Sequence, residues 1–256
     1  MIRLHRWWRQ RTLERARKRY DDADWRAAWD RLPLLDDLTS DEAASLCDLA
    51  VLFLRDKAIE TAQGIALTDS MRLTIALQAC LPILHLGLHW YSDWYAVILY
   101  PAEFRPKHEH IDEDGLVWVD DQPMSGEAWE RGPVILSWED VIAGGERDGY
   151  NLVIHEFAHK LDMRNGVANG HPPLHSDMND REWAAAWSAA YDDLCQRVDA
   201  GDETSIDPYG AESPAEFFAV CSEAFFEIPT QLRDDYPRVY EQLARFYRQD
   251  PAARFR

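Results

Sequence analysis

Apolar residues recur at three- and four-residue intervals through "LTSDEAASLCDLAVLFLRDKAIE", which predicts a helix from about 40 to 60. Thr39 and Glu42 stand in capping-box spacing at its start. Asp69 is the predicted cap of a second helix, "SMRLTIALQACL", which Pro82 ends. The texture then changes. "YAVILYP", "GLVWVDD" and "GPVILSW" are short runs of β-branched and aromatic residues set among Gly, Pro and charge, and they predict strands of one small sheet. Helical spacing returns after Gly149, over 150–164, about 179–198, 214–227 behind Ser213 and Pro214, and 235–248. The stretch 165–178, containing "NGHPPLH", reads as an ordered irregular loop. The order is α, then β, then α, without repeats or a long linker.

Composition sharpens this picture in three places. With 46% hydrophobic and 12% aromatic residues the 256-residue chain can bury a sizeable core. Its four cysteines, Cys47, Cys80, Cys195 and Cys221, stand singly, with no CxxC pair, and read as reduced, buried thiols. The net charge of −19 is unevenly spread, because eight of the 27 basic residues but only one of the 46 acidic ones fall in the first 20. So acidic a body repels phosphate backbones and argues against direct nucleic-acid binding. The basic arm "RWWRQRTLERARKRY", with Trp7 and Trp8 among arginines, can touch anionic lipid or a partner, or be a solvated terminal helix. No apolar run is long enough for a membrane span, and the N-terminal stretch is too charged for a signal peptide, so the expectation is a soluble, cytoplasmic protein.

The chemistry concentrates in "NLVIHEFAHKLDMRNG". His155 and His159 lie four residues apart with Glu156 between them. On a helix, positions i and i+4 differ by about 40° in azimuth, so both imidazoles project from one face and can converge on one ion. Glu156 sits beside that face, placed to take the proton of a zinc-activated water. Such an HExxH arises by chance in roughly two chains per hundred of this composition. Here the rest of the helix, Leu152, Val153, Ile154, Phe157, Ala158 and Leu161, is apolar, so the polar trio is buried and needs a partner.

Two histidines do not complete a zinc site. The continuation HExxHxxGxxH is absent, since Asp162 and Asn165 stand at its Gly and His positions. His171 and His175 in the following loop are candidates without regular geometry. "DPYGAESPAEFFAVCSEAFFE" offers Glu216 and Glu223, seven residues apart on one helical face among phenylalanines. Glu216 also fits a capping box with Ser213, and spacing alone does not choose between cap and ligand. Asp162 is a candidate acceptor for a ligand imidazole or one half of a salt bridge, and Glu223 can serve similarly. "PVILSWED" is either an edge strand for a peptide substrate or an inner strand. His85 and His89 repeat the i, i+4 spacing without a glutamate and read as packing.

The segments "HEFAHKLDMRNGVANGHPPLH", "GEAWERGPVILSWEDV", "LQACLPIL" and "SPAEFFAVCSEAFFE" resemble the Mlc titration factor A family of zinc-dependent bacterial peptidases, over nearly the whole chain. The catalytic part is also similar to the anthrax lethal factor protease domain, which has an HEFGH helix and a Tyr-Gly ahead of an AEFFAE helix. The resemblance implies that His155, His159 and Glu216 bind one Zn2+ per chain, with Glu223 the runner-up for the third ligand. It further implies that Glu156 is the general base and that Tyr209, seven residues before Glu216, hydrogen-bonds the developing oxyanion. It implies peptidase activity of aminopeptidase type and binding of the glucose-responsive transcriptional repressor Mlc. The expected fold is α+β: a zincin-like metallopeptidase with a small mixed sheet, an HExxH active-site helix and additional N-terminal helices. The expectation is one domain over 1–256, with 1–90 mainly helical and 91–256 carrying the sheet and catalytic helices. Two rivals stand beside it: a repressor-sequestering protein with incidental hydrolysis, and a structural zinc site, against which the intact Glu156 argues.

Overall fold

A computed structural model of the chain describes residues 13, 17, 19–102, 108–111, 117–120, 126–128 and 132–254. The basic arm falls almost wholly outside them. The helices are α1 (Asp22–Trp29), α2 (Ser40–Asp56), α3 (Asp69–Cys80), α4 (Trp138–Ala143), α5 (Leu152–Asp162), α6 (Asp180–Ala200), α7 (Pro214–Glu227), α8 (Pro229–Asp235), α9 (Pro237–Tyr247) and α10 (Pro251–Arg254). The strands are β1 (Ala58–Thr61), β2 (Ala96–Tyr100), β3 (His108–Ile111), β4 (Val117–Asp120), β5 (Gly126–Ala128) and β6 (Val134–Ser137). This is a mixed α and β architecture dominated by helices.

Local chemistry explains the boundaries. Thr39 Oγ1 accepts from the Glu42 amide while Glu42 Oε2 accepts from the Thr39 amide at 3.0 Å, so the predicted capping box starts α2. The expected run to 60 is too long: α2 ends at Asp56 and its tail becomes strand β1. Thr68, rather than Asp69, caps α3. The predicted helix 235–248 is α9, and a short helix that was not predicted, α8, precedes it; Pro229 and Pro237 each sit at a first helical turn and start the two after Ile228 and Tyr236.

The expected single sheet is two. One has the order β1-β2-β6-β5, parallel between β1, β2 and β6 and antiparallel between β6 and β5, while β3 and β4 form a separate antiparallel ribbon. "PVILSWED" therefore supplies an inner strand, β6, and the outer antiparallel strand is β5. Val97 and Leu99 of β2 stand opposite Val134 and Leu136 of β6, and all four are fully buried. Helix α5 packs against β5 and β6 on one side and against α7 on the other. Its anchor is Phe157, whose ring meets Phe53, Tyr91 and Trp94 at centroid distances of 5.7, 5.1 and 5.4 Å.

The loop after α5 is fixed where Gly170 crosses α7. Gly170 has φ +76°, and a Cβ there would lie 2.4 Å from the Pro214 carbonyl oxygen. Its amide donates to Asp162 Oδ2 at 2.7 Å and its carbonyl accepts from Trp183 Nε1 at 3.1 Å. Gly201 shares the left-handed backbone, φ +73°, but faces open space. Gly201→Ala should cost about 1 kcal/mol of backbone strain, whereas Gly170→Ala should cost at least about 3 kcal/mol because the clash adds to it. Urea unfolding of the two variants measures the difference.

Candidate metal centre

Asn151 starts the helix that carries the histidines, its Oδ1 accepting from the Ile154 amide at 2.9 Å. All of α5 is buried except His155, which is partly so. The facing helix, α7, begins at Pro214 with Ser213 as cap, and Ser213 Oγ accepts from the Glu216 amide at 3.2 Å. Only that half of the capping box forms. The Glu216 carboxylate turns instead toward α5.

There three atoms converge. Glu216 Oε2 lies 3.0 Å from His155 Nε2 and 3.4 Å from His159 Nε2, and the two imidazole nitrogens are 3.2 Å apart. A tetrahedral zinc with bonds of about 2.0–2.1 Å needs ligand atoms about 3.3–3.4 Å from one another. The triangle has that size. With Nδ1–H donated to Glu223 Oε1 at 2.8 Å, His155 turns its Nε2 toward a carboxylate oxygen and a second imidazole. Three electron-pair donors so close together need a proton or a cation between them. Glu223 thus reaches the far nitrogen of His155, and Glu216 the near one.

Charge around the triangle is one-sided. Burial disfavours the imidazolium of His155, but the Glu223 charge and hydrogen bonds from the ring to both glutamates outweigh it and hold that ring well above its ordinary range. Burial works against the Glu216 carboxylate too, and hydrogen bonds from both histidines overcome it, keeping the group well below the usual carboxylate range. Glu156, 4% exposed, is pushed up to about 7 by burial although both histidines pull it down, and its Oε2 has no hydrogen-bond partner. Tyr209 stands in the helical turn Pro208–Ala211 directly before α7, its amide donating to Asp207 Oδ1 at 2.8 Å. Its ring lies 6.1 Å from the His155 ring, and burial together with the Glu216 charge raises its phenol to about 12, so it remains a donor.

The other candidates lie elsewhere. His175 donates Nε2–H to the Phe246 carbonyl, and His171 sits 3.5 Å from Asp180 and edge-on to Trp183. His85 is 3.5 Å from Glu42, and His89 neighbours Trp90. Asp162 forms neither of the bonds expected of it. Its Oδ2 accepts from the Asn169 and Gly170 amides, and although its Oδ1 and His159 Nδ1 are both buried without partners, no bond joins them.

Sequence reasoning missed Asn151 and Glu227. Glu227 is fully buried and accepts from Asn151 Nδ2 at 2.8 Å and from the Arg147 amide at 2.7 Å. The signal was available: positions 216, 223 and 227 fall within about 40° of one another around a helix, one acidic stripe on an otherwise apolar surface.

A family model described as glucose-regulated metallo-peptidase M90 matches residues 4–248. Curated relatives carry the name Mlc titration factor A. The protein of that name from Salmonella arizonae is 41% identical over 240 residues, covering 92% of this chain and 95% of that one. The Yersinia enterocolitica protein is 40% identical over 241 residues, covering 91% and 88%.

Burial of Glu156 gives the metal-free chain a pH dependence of known sign. Between its unfolded value near 4.5 and its folded value of about 7, the native state holds a proton that the unfolded state lacks, so its contribution destabilises the fold as pH rises. In the presence of a chelator, Glu156→Gln should be more stable than wild type by about 1–3 kcal/mol at pH 8, with the advantage vanishing toward pH 5. Denaturant unfolding across that range checks it.

Proposed function

The chain belongs to the glucose-regulated metallo-peptidase M90 family, and on that footing we propose that it is a zinc-dependent peptidase of aminopeptidase type with a zincin-like catalytic core. His155, His159 and Glu216 hold one zinc per chain. The observation that carries this reading is the triangle of donor atoms at 3.0, 3.2 and 3.4 Å. A zinc ion bound there would supply Lewis acidity, polarising a peptide carbonyl and making a water molecule easier to deprotonate. Glu156, beside the two histidines on α5, takes a proton from the attacking water and returns it to the departing amine. Tyr209 donates a hydrogen bond to the carbonyl oxygen as that oxygen gains charge. Glu223 keeps Nδ1 of His155 protonated and its ring turned to the site. Among the described residues strand β5 is paired on one side only, by β6, and its other edge is where an extended peptide would lie beside α5.

The relatives' name supports a second activity, binding of Mlc or a similar protein, which the family resemblance makes a transcriptional repressor met in the cytoplasm. A chain of net charge −19 is suited to a basic DNA-binding protein and poorly suited to DNA itself. A few groups around one ion suffice for hydrolysis, whereas a folded partner covers on the order of 800 Å². The two activities are therefore separable.

Metal analysis should find one zinc per chain, lost in Glu216→Ala. Glu156→Gln should keep the zinc and the repressor in pull-down while losing peptide-library cleavage. If repressor binding disappears together with hydrolysis while zinc and fold persist, the partner occupies the active site and the separable reading fails. A wild type that binds repressor but cleaves no peptide leaves sequestration as the function.

Tyr209→Phe should lower kcat about a hundredfold, or about 3 kcal/mol, with little change in KM or zinc content. Steady-state kinetics with a cleaved peptide read it, and an unchanged kcat removes the phenol from the reaction.

A further inference from the structure

Behind His155 runs a line of hydrogen bonds of which the proposed reaction uses only the first, from His155 to Glu223. His155 Nδ1 donates to Glu223 Oε1, and the Asn151 amide donates to the other oxygen of Glu223 at 2.6 Å. Asn151 then spends its side chain in two directions, with Oδ1 capping α5 and Nδ2 donating to Glu227. Glu227 accepts in turn from the amide of Arg147, a residue in the left-handed region at φ +61°. The Arg147 guanidinium donates to the Pro33 carbonyl and to Asp37, both at 2.7 Å. Asn151 and Glu227 are fully buried, and Glu223 is nearly so.

A second acidic group this deep is a poor choice for stability alone, because a packed apolar side chain in the Phe-rich α7 would avoid its desolvation. What Glu227 provides is direction. It accepts one N–H of Asn151 and so leaves the Asn151 oxygen for the helix cap, while the same residue's backbone N–H aligns Glu223. Gly144 lets the neighbouring loop close on this group, since a Cβ there would sit 3.2 Å from Asn151 Cγ. We propose that Asn151 and Glu227 are positioning residues of the metal centre, which set the carboxylate of Glu223 and through it the imidazole plane of His155. The assignment rests on the reading of His155 as a metal ligand.

The test exchanges donor and acceptor. Glu227→Gln leaves an amide where two N–H groups need oxygens, and Asn151→Asp sets two carboxylates against each other. In the double variant Asn151→Asp/Glu227→Gln, the new amide accepts from the Arg147 N–H through its oxygen and donates to the new carboxylate, whose second oxygen still caps α5. Zinc affinity is read by chelator competition, site geometry by the visible bands of the cobalt(II) protein, and fold by circular dichroism. Each single variant should bind zinc about tenfold more weakly and shift the cobalt bands, and the double variant should return to within about threefold of wild type with its spectrum restored. Unchanged single variants, or a double variant as weak as they are, overturn the proposal. Should a single variant fail to fold, the double variant decides alone: binding as wild type supports the exchange, and misfolding or weak binding refutes it. A wild type that binds no zinc, or keeps it after His155→Ala, refutes the ligand reading itself.

Discussion

The contact on which the functional geometry depends is the one between α5 and α7, and at its centre the bond from His155 Nδ1 to Glu223. Each helix is amphipathic in an unusual sense. Both are almost wholly buried, so their polar residues cannot turn to water and must satisfy one another. The acidic stripe Glu216, Glu223 and Glu227 lies against Asn151, His155 and His159, and the match holds along the contact: carboxylate to imidazole, carboxylate to imidazole and amide, carboxylate to amide. Sliding one helix by a turn would leave several ionisable groups unpaired in the core, which fixes the register more firmly than phenylalanine packing alone.

The start of α7 shows how a local preference yields to this arrangement. Ser213 and Glu216 have the spacing of a capping box, and at the start of α2 Thr39 and Glu42 complete one. At α7 only the serine half forms, because Glu216 finds two imidazoles within 3.4 Å. A reciprocal cap contributes a kcal/mol or so, less than a buried carboxylate gains from two charge-assisted hydrogen bonds. The same turn brings Tyr209 beside His155, so one short segment delivers both a donor oxygen and a phenol to the site.

The histidine helix, the loop after it and the Glu216 and Glu223 face were legible because a 3.6-residue period and an HExxH spacing are local properties. What escaped was set by partners distant in sequence. "AIET" continues the helical texture of α2 and becomes β1 only because β2 lies alongside. Whether "VILS" is inner or outer depends on β5, whose Gly126, Glu127 and Ala128 are poor strand formers that no propensity argument would select. Asn151 read as part of a helix start, and nothing local says that its amide meets a carboxylate 72 positions later. Glu227 was hidden among phenylalanines, although the stripe it completes is visible once Glu216 and Glu223 are taken as a pair.

The electrostatics of the site and its proposed cofactor require each other. Glu156, Glu216 and Glu223 surround two imidazoles, and burial raises Glu156 and Glu223 above their ordinary values, which is the mark of carboxylates held where their charge is disfavoured. A divalent cation among them turns each of these interactions favourable, because every nearby carboxylate then faces net positive charge. Cation binding and folding are consequently linked. A ligand present at a thousandfold excess over its dissociation constant adds about 4 kcal/mol to stability, a large part of the 5–15 kcal/mol that holds a typical domain together. On the proposed reading, the carboxylates that arrange the site for hydrolysis would also make the fold sensitive to the ion, so that losing it would weaken the α5–α7 contact as well as the chemistry built on it.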